Sequence, residues 1–152
     1  MIEPRKLTDI ERLMEWRRKV LECVFGSAPD EALLAANRKF YERHIADGSH
    51  LAVIADFDSE EAGCGAVCYY DEMPSPDNRT GRCGYIMNIY VRPRFRGKGV
   101  ATAILKYLIH QALDNNCEKI YLESTDMGRT VYSNLGFTDM ENMMKYKTTD
   151  ND

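Results

Sequence analysis

The chain has little of what would make it depend on a metal, a disulfide or a membrane. Its three histidines, His44, His50 and His110, lie far in sequence from any cysteine pair, and its five cysteines (Cys23, Cys64, Cys68, Cys83 and Cys117) include no CxxC. No zinc site or disulfide framework is therefore expected, and the odd thiol count reads as scattered buried cysteines in a reducing compartment. No run approaches the ~18 apolar residues of a membrane-spanning helix. The opening MIEPRKLTDIERLMEWRRKV carries no apolar core behind its basic residues, so no signal peptide and a cytoplasmic location are expected. Neither GxxxxGK[ST] nor GxGxxG occurs, which removes two familiar phosphate loops. Positive charge is also not in excess: the formal net charge of −4 argues against general binding to nucleic acid or a membrane surface.

What is present suits one soluble domain spanning 1–152. Hydrophobic residues make up 44% and charged residues 29%, a globular rather than a disordered balance. A chain of 152 residues buries roughly two-thirds of its unfolded surface without staples.

Ile2 to Leu7 reads as an edge strand, since Pro4 removes a ladder donor. Thr8 or Asp9 is placed to cap a helix running to about Phe25, with Ile10, Leu13, Met14, Val20, Leu21 and Val24 at helical spacing. Asp30 opens a second helix that Asp47-Gly48 ends. Leu51–Phe57 and Gly63–Tyr70 read as strands separated by a polar turn, and the glycines of the second suggest close packing or a bulge. Asp71 to Arg82 is a loop. Cys83–Val91 is a strand apolar on both faces. Gly99 to about Asn115 is a helix, Lys119–Glu123 a strand and Met127–Asn134 a short helix; Phe137–Lys147 would supply one or two last strands. Residues 83–123 form a right-handed parallel crossover, and the rest an antiparallel meander. The expected fold is a mixed α/β sheet with helices on both faces.

The most informative stretch is Tyr90-Val91-Arg92-Pro93-Arg94-Phe95-Arg96-Gly97-Lys98-Gly99-Val100-Ala101. A buried strand ends, a basic glycine-rich turn follows, and an apolar helix begins. Helix N-termini offer unpaired N–H groups and partial positive charge, which suits an anion. Gly97 and Gly99 let the backbone approach a phosphate, Arg96 and Lys98 add full charges, and Ala101 keeps the first turn thin. The alternative is a solvated basic turn.

Arg96-Gly97-Lys98-Gly99-Val100-Ala101 resembles the R/Q-x-x-G-x-G/A signature of the GNAT superfamily of N-acetyltransferases, and Val91 to Phe95 resembles the V-x-P-x-[FY] that precedes it. Val131-Tyr132-Ser133-Asn134-Leu135-Gly136-Phe137 is similar to the family's LYxxxGF segment. The resemblance implies a GNAT-like, partly splayed sheet and acetyl-CoA as cosubstrate. It implies that Arg96, Gly97, Lys98, Gly99, Val100 and Ala101 hold the CoA pyrophosphate. The strand edge at Ile89, Tyr90 and Val91 would bond the pantetheine arm, a form of strand addition. Tyr132 matches the general acid that protonates the departing thiolate, and a phenol of pKa ~10 stays protonated at neutral pH.

The chain departs from some relatives at the base. The positions where these carry a carboxylate or histidine fall at Tyr85 and Met87. Glu123 is the best replacement, acting directly or through a water; otherwise the bound amine loses its proton to solvent and positioning supplies the rate. Thr125 stands where many members carry a CoA-touching asparagine, although Ser124, Thr125 or Asp126 also suits a helix cap. For the acceptor the clues conflict. Acidic Asp71–Asn78 would favour a cationic amine, whereas an arginine of Trp16-Arg17-Arg18 would hold an acidic group unless it lies on a solvated face; the turn Phe25–Pro29 lies in the region that shapes such sites in the family.

The expected activity is direct transfer of acetyl from acetyl-CoA to an amine of a small molecule or peptide in a ternary complex. No sequence-adjacent cysteine and histidine suggest an acyl-enzyme. A non-catalytic acyl-CoA sensor is the alternative. A nucleic-acid binder using Arg92, Arg94, Arg96 and Lys98 is a third reading, set against the acidity of the rest. Exposed strand edges and the run Met140–Met144 are compatible with a homodimer.

Overall fold

The structure, a computed structural model, describes residues 1–149. Five strands, β1 (Ile2–Lys6), β2 (His50–Phe57), β3 (Glu60–Asp71), β4 (Arg82–Val91) and β5 (Lys119–Leu122), form one sheet in chain order. β1 to β4 are antiparallel neighbours, and β4–β5 is the parallel pair expected around α3 (Val100–Asp114). α1 (Ile10–Phe25) and α2 (Glu31–Ala46) cover one face; α3 and the short α4 (Arg129–Asn134) cover the other.

The helix ends follow local chemistry. Asp9, not Thr8, caps α1 by accepting from the Arg12 N–H at 3.2 Å, and Gly26 closes it at φ 76°. Asp30 caps α2 by accepting from the Leu33 N–H at 2.8 Å. Between β2 and β3 the turn is shorter than expected. Asp58 and Ser59 both take positive φ, 48° and 71°, and close a two-residue hairpin, so β3 begins at Glu60.

Two apolar clusters hold the layers together. Val53, Val67, Ile86, Phe95, Val100, Ile104, Leu105 and Leu108 bury the α3 face; Leu13, Trp16, Val20, Tyr41, Ile54 and Cys64 bury the α1/α2 face. The β3 glycines serve close packing: a Cβ on Gly65 would lie 2.6 Å from Ile104 Cγ2 and from Ile89 Cδ1. β4 also carries a bulge. The register shifts so that Asn88 and Ile89 together oppose Gly65, with Asn88 at φ 61°.

Two expectations fail. Among the described residues no strand follows β5: Phe137–Lys147 does not pair. Positive φ at Gly136 (104°) and Asn142 (66°) interrupts any extended run, and Met143, Met144 and Tyr146 face solvent. A cleft of about 770 Å³ runs along the outer edge of β5 instead, lined by Ile120, Leu122, Tyr132, Leu135 and Phe137. Cys23, at the end of α1, is exposed rather than buried.

Candidate functional site

Pairing between β4 and β5 ends at Ile86↔Leu122, yet β4 continues to Val91. The two parallel strands thus part, and Met87–Val91 keeps a ladder partner only on the β3 side. Both chains leave the sheet at the same end, where ligands of α/β sheets collect. Expected site residues gather there from three elements: the exit of β4, the start of α3 and the segment after β5.

Beyond β4, a 3₁₀ turn (Pro93–Phe95) leads into Arg96–Ala101. Gly97 and Gly99 take φ 76° and 88°, and Gly99 stands at the N-cap of α3 without a side-chain cap. The first helical bond is Ala103 N–H to Gly99 O at 3.1 Å. The amides of Gly97, Lys98, Gly99, Val100, Ala101 and Thr102 consequently have no acceptor among the described residues. A Cβ on Gly97 would meet nothing within 4 Å, and one on Gly99 only Ile2 Cδ1 at 3.8 Å, so the turn is uncrowded at both glycines. The donor set fits a phosphate group: consecutive N–H groups, a fifteen-residue helix behind them, and two cations.

The four cations of this stretch divide. Arg94 pairs with Glu60, and the Arg92 guanidinium lies 4.9 Å over the Trp16 ring. Arg96 has no carboxylate partner among the described residues; its Nε donates to the Val91 carbonyl at 3.0 Å, which holds it beside the strand exit. Lys98 rests 5.3 Å from the Phe57 ring and is likewise unpaired with any carboxylate there. Of the four, only Arg94 is paired with a carboxylate among the described residues.

Tyr132 lies on α4, half-buried against the α3-face cluster, edge-on to Phe137 at 6.1 Å. Its hydroxyl has no hydrogen-bond partner among the described residues. Burial raises its pKa above the usual phenol value, so it is protonated at neutral pH. Gly128, which sequence reasoning passed over, makes room for it: a Cβ there would lie 2.7 Å from the Tyr132 ring. Thr125 serves the turn before α4, its hydroxyl oxygen accepting from the Gly128 N–H at 3.3 Å.

On the opposite face of the slot, Glu123 follows the last paired residue of β5 and stands beside Tyr85. Burial first, and then the Glu123 carboxylate, push the Tyr85 phenol up to about 12. Tyr85 stacks on Tyr121 at 5.0 Å, and Tyr121 exchanges a 2.5 Å hydrogen bond with Tyr70. The sheet also brings together a pair that the sequence separates: His50 Nδ1 lies 3.1 Å from Cys68 Sγ. Burial holds the imidazole down at about 4 and the thiol up at about 11, so both are neutral and the thiol is not activated.

The chain matches the Acetyltransferase (GNAT) family over residues 10–137. It belongs to that family. Among solved structures, a predicted acetyltransferase of Clostridium acetobutylicum, crystallised with acetyl-CoA, superposes with a TM-score of 0.86 at 30% identity, covering 97% of this chain and 96% of the other. The thialysine N-epsilon-acetyltransferase of Sus scrofa is 36% identical over 64 residues, 40% of this chain. The glucosamine 6-phosphate N-acetyltransferase of Trypanosoma brucei brucei is 32% identical over 68 residues, 44% of this chain. The matches span 38% and 46% of those two proteins. In this GNAT chain the sheet is mixed and flanked by helices, as the resemblance implied, and among the described residues it has five strands, without the further one or two expected from Phe137–Lys147.

Proposed function

We propose that the chain binds acetyl-CoA and passes its acetyl group directly to an amine acceptor in a ternary complex. The observation that carries this reading is the row of six unpartnered amides at Gly97–Thr102, opening at the mouth of the β4–β5 slot. Those amides, with Arg96 and Lys98, hold the pyrophosphate. The free edge of β4 at Ile89, Tyr90 and Val91 offers backbone groups to the pantetheine amides, and Thr125, in the turn before α4, is a further CoA contact. The amine nitrogen attacks the thioester carbonyl from the α1/α2 face, and Glu123 takes its proton, directly or through water. As the tetrahedral intermediate collapses the carbon–sulfur bond breaks, and Tyr132, on the other face, gives its proton to the sulfur. The names of the relatives speak for amine acceptors, an amino-acid side chain and an amino sugar.

A screen of amines with acetyl-CoA, read by release of free thiol, tests the proposal. Amine-dependent thiol release and a matching N-acetylated product are expected. Tight CoA binding without turnover on any amine would instead make this an acyl-CoA-binding module.

The role of Glu123 has its own test. With an acceptor in hand, Glu123→Gln should reduce turnover most near pH 6, where little of the amine is unprotonated, and least near pH 9, where it sheds its proton unaided. CoA affinity should be nearly unchanged, because Glu123 lies off the cradle. A pH–rate profile identical to that of the wild type would assign proton removal to solvent.

A further inference from the structure

Leu13, Trp16, Val20 and Leu21 form the buried stripe of α1, and Arg17 stands within it, one turn from Leu13 and from Leu21. It is half-buried. Its Nε donates to Asn37 Oδ1 on α2 at 2.9 Å, and one terminal nitrogen donates to Asn88 Oδ1, on the β4 bulge, at 2.8 Å. Both partners are neutral amides. Arg12 and Arg82, half-buried as well, each pair with a carboxylate, Glu61 and Asp71. Arg17 has none among the described residues. A guanidinium carries five N–H donors, and these two bonds leave three. Its field is felt across this face of the sheet, where it opposes the upward shifts of Tyr41, Cys64 and Cys68 and adds to the downward shift of His50.

A half-buried cation without a counter-ion is costly, and its geometry is held rather than loose. Asn88, its partner on the sheet, lies two residues past Ile86, the last β4 residue paired with β5. Arg17 therefore stands on the α1/α2 face beside the mouth of the slot, the same face that carries Tyr85 and Glu123. Resting on the acetyl-transfer reading above, we infer that Arg17 is the counter-ion for a carboxylate on the acceptor, and that the acceptor is a small amino acid whose reactive amine lies a short chain away from that carboxylate. A carboxylate suits the site better than a phosphate monoester: Arg17 is a single cation with two donors already spent, enough to balance one negative charge and donate to one pair of oxygens.

The test compares two pairs of amines that differ only in the carboxylate, lysine against 1,5-diaminopentane and ornithine against 1,4-diaminobutane, with phosphoethanolamine against ethanolamine as a separate phosphate arm. In the wild type the carboxylate-bearing member should be favoured about tenfold or more in kcat/KM, the worth of one charge-assisted pair, mainly through KM. Arg17→Gln should bring that ratio to within about twofold of unity, and Arg17→Lys should restore part of it. Equal use of both members by the wild type overturns the proposal. So does an Arg17→Gln variant that slows both members alike, since Arg17 then only braces the bulge. Preference for phosphoethanolamine over every carboxylate replaces the carboxylate with a phosphate. If no amine is acetylated, the acetyl-transfer reading fails, and titration of lysine and 1,5-diaminopentane into the CoA-loaded protein decides the matter. Carboxylate-dependent binding that Arg17→Gln abolishes sustains the assignment, and its absence ends it.

Discussion

Tyr132→Phe should lower kcat by ~10²-fold or more, the usual scale for losing a general acid, while acetyl-CoA affinity stays within about twofold. The substitution removes one oxygen and keeps the ring, so the packing against Phe137 and the α3-face cluster survives. The hydroxyl has no partner among the described residues, so its loss orphans nothing and should leave stability nearly unchanged. Its raised pKa keeps the proton in place through neutral pH and ready for the departing thiolate. The binding contribution is small because the sulfur becomes strongly basic only as the carbon–sulfur bond breaks. The measurement needs kcat and acetyl-CoA affinity for both proteins under conditions where chemistry limits the rate. A kcat within about twofold of the wild type removes Tyr132 from proton transfer. If affinity collapses while kcat holds, the ring only shapes the slot.

The glycine-rich turn proposed as the phosphate cradle was legible in the sequence because its geometry is local. Two glycines at positive φ, a strand ending before them and an apolar helix after them are properties of twelve consecutive residues, Tyr90–Ala101. The parallel crossover followed from the same kind of evidence. The face proposed for the acceptor was not legible, because it depends on residues far apart in the chain. Arg17, Asn37 and Asn88 meet only because a one-residue bulge in β4 turns Asn88 to positive φ beneath the two helices. Nothing in CGYIMNIYV announces that bulge. The sequence offered an arginine of Trp16-Arg17-Arg18 as a partner for an acidic group without saying which, and a solvated face was the favoured explanation. His50 and Cys68 likewise become neighbours only through the β2–β3 register.

The missed C-terminal strands teach a different point. The tail has strand-like apolar residues, Met140, Met143, Met144 and Tyr146, but a strand needs a partner ladder as well as suitable side chains. β5 offers only four residues, and Gly136 and Asn142 turn the chain away from its edge.

Gly99→Glu should weaken CoA binding by ~10²-fold, an effect that local charge is large enough to produce. Two unit charges about 4 Å apart at an effective dielectric of 20 repel by about 4 kcal/mol, which solvent and salt reduce at an exposed turn. The added side chain has open space around it, with only Ile2 Cδ1 at 3.8 Å from the new Cβ. Loss of binding would therefore come from the ligand's side of the cradle rather than from a collapsed core. The substitution has a cost of its own: φ of 88° is unfavourable for any residue with a Cβ, by about 1–2 kcal/mol, so some loss of thermal stability is expected. Gly99→Ala separates the two effects, since it carries the same backbone strain without the charge. Titration of CoA and of pantetheine into wild type, Gly99→Ala and Gly99→Glu gives the decisive comparison, with circular dichroism confirming the fold of each. CoA affinity should fall slightly in Gly99→Ala and steeply in Gly99→Glu, whereas pantetheine, which lacks the pyrophosphate, should bind all three with similar weakness. A folded Gly99→Glu protein that binds CoA as the wild type does would falsify the cradle at Arg96–Ala101, and equal losses for CoA and pantetheine would relocate the pyrophosphate away from it.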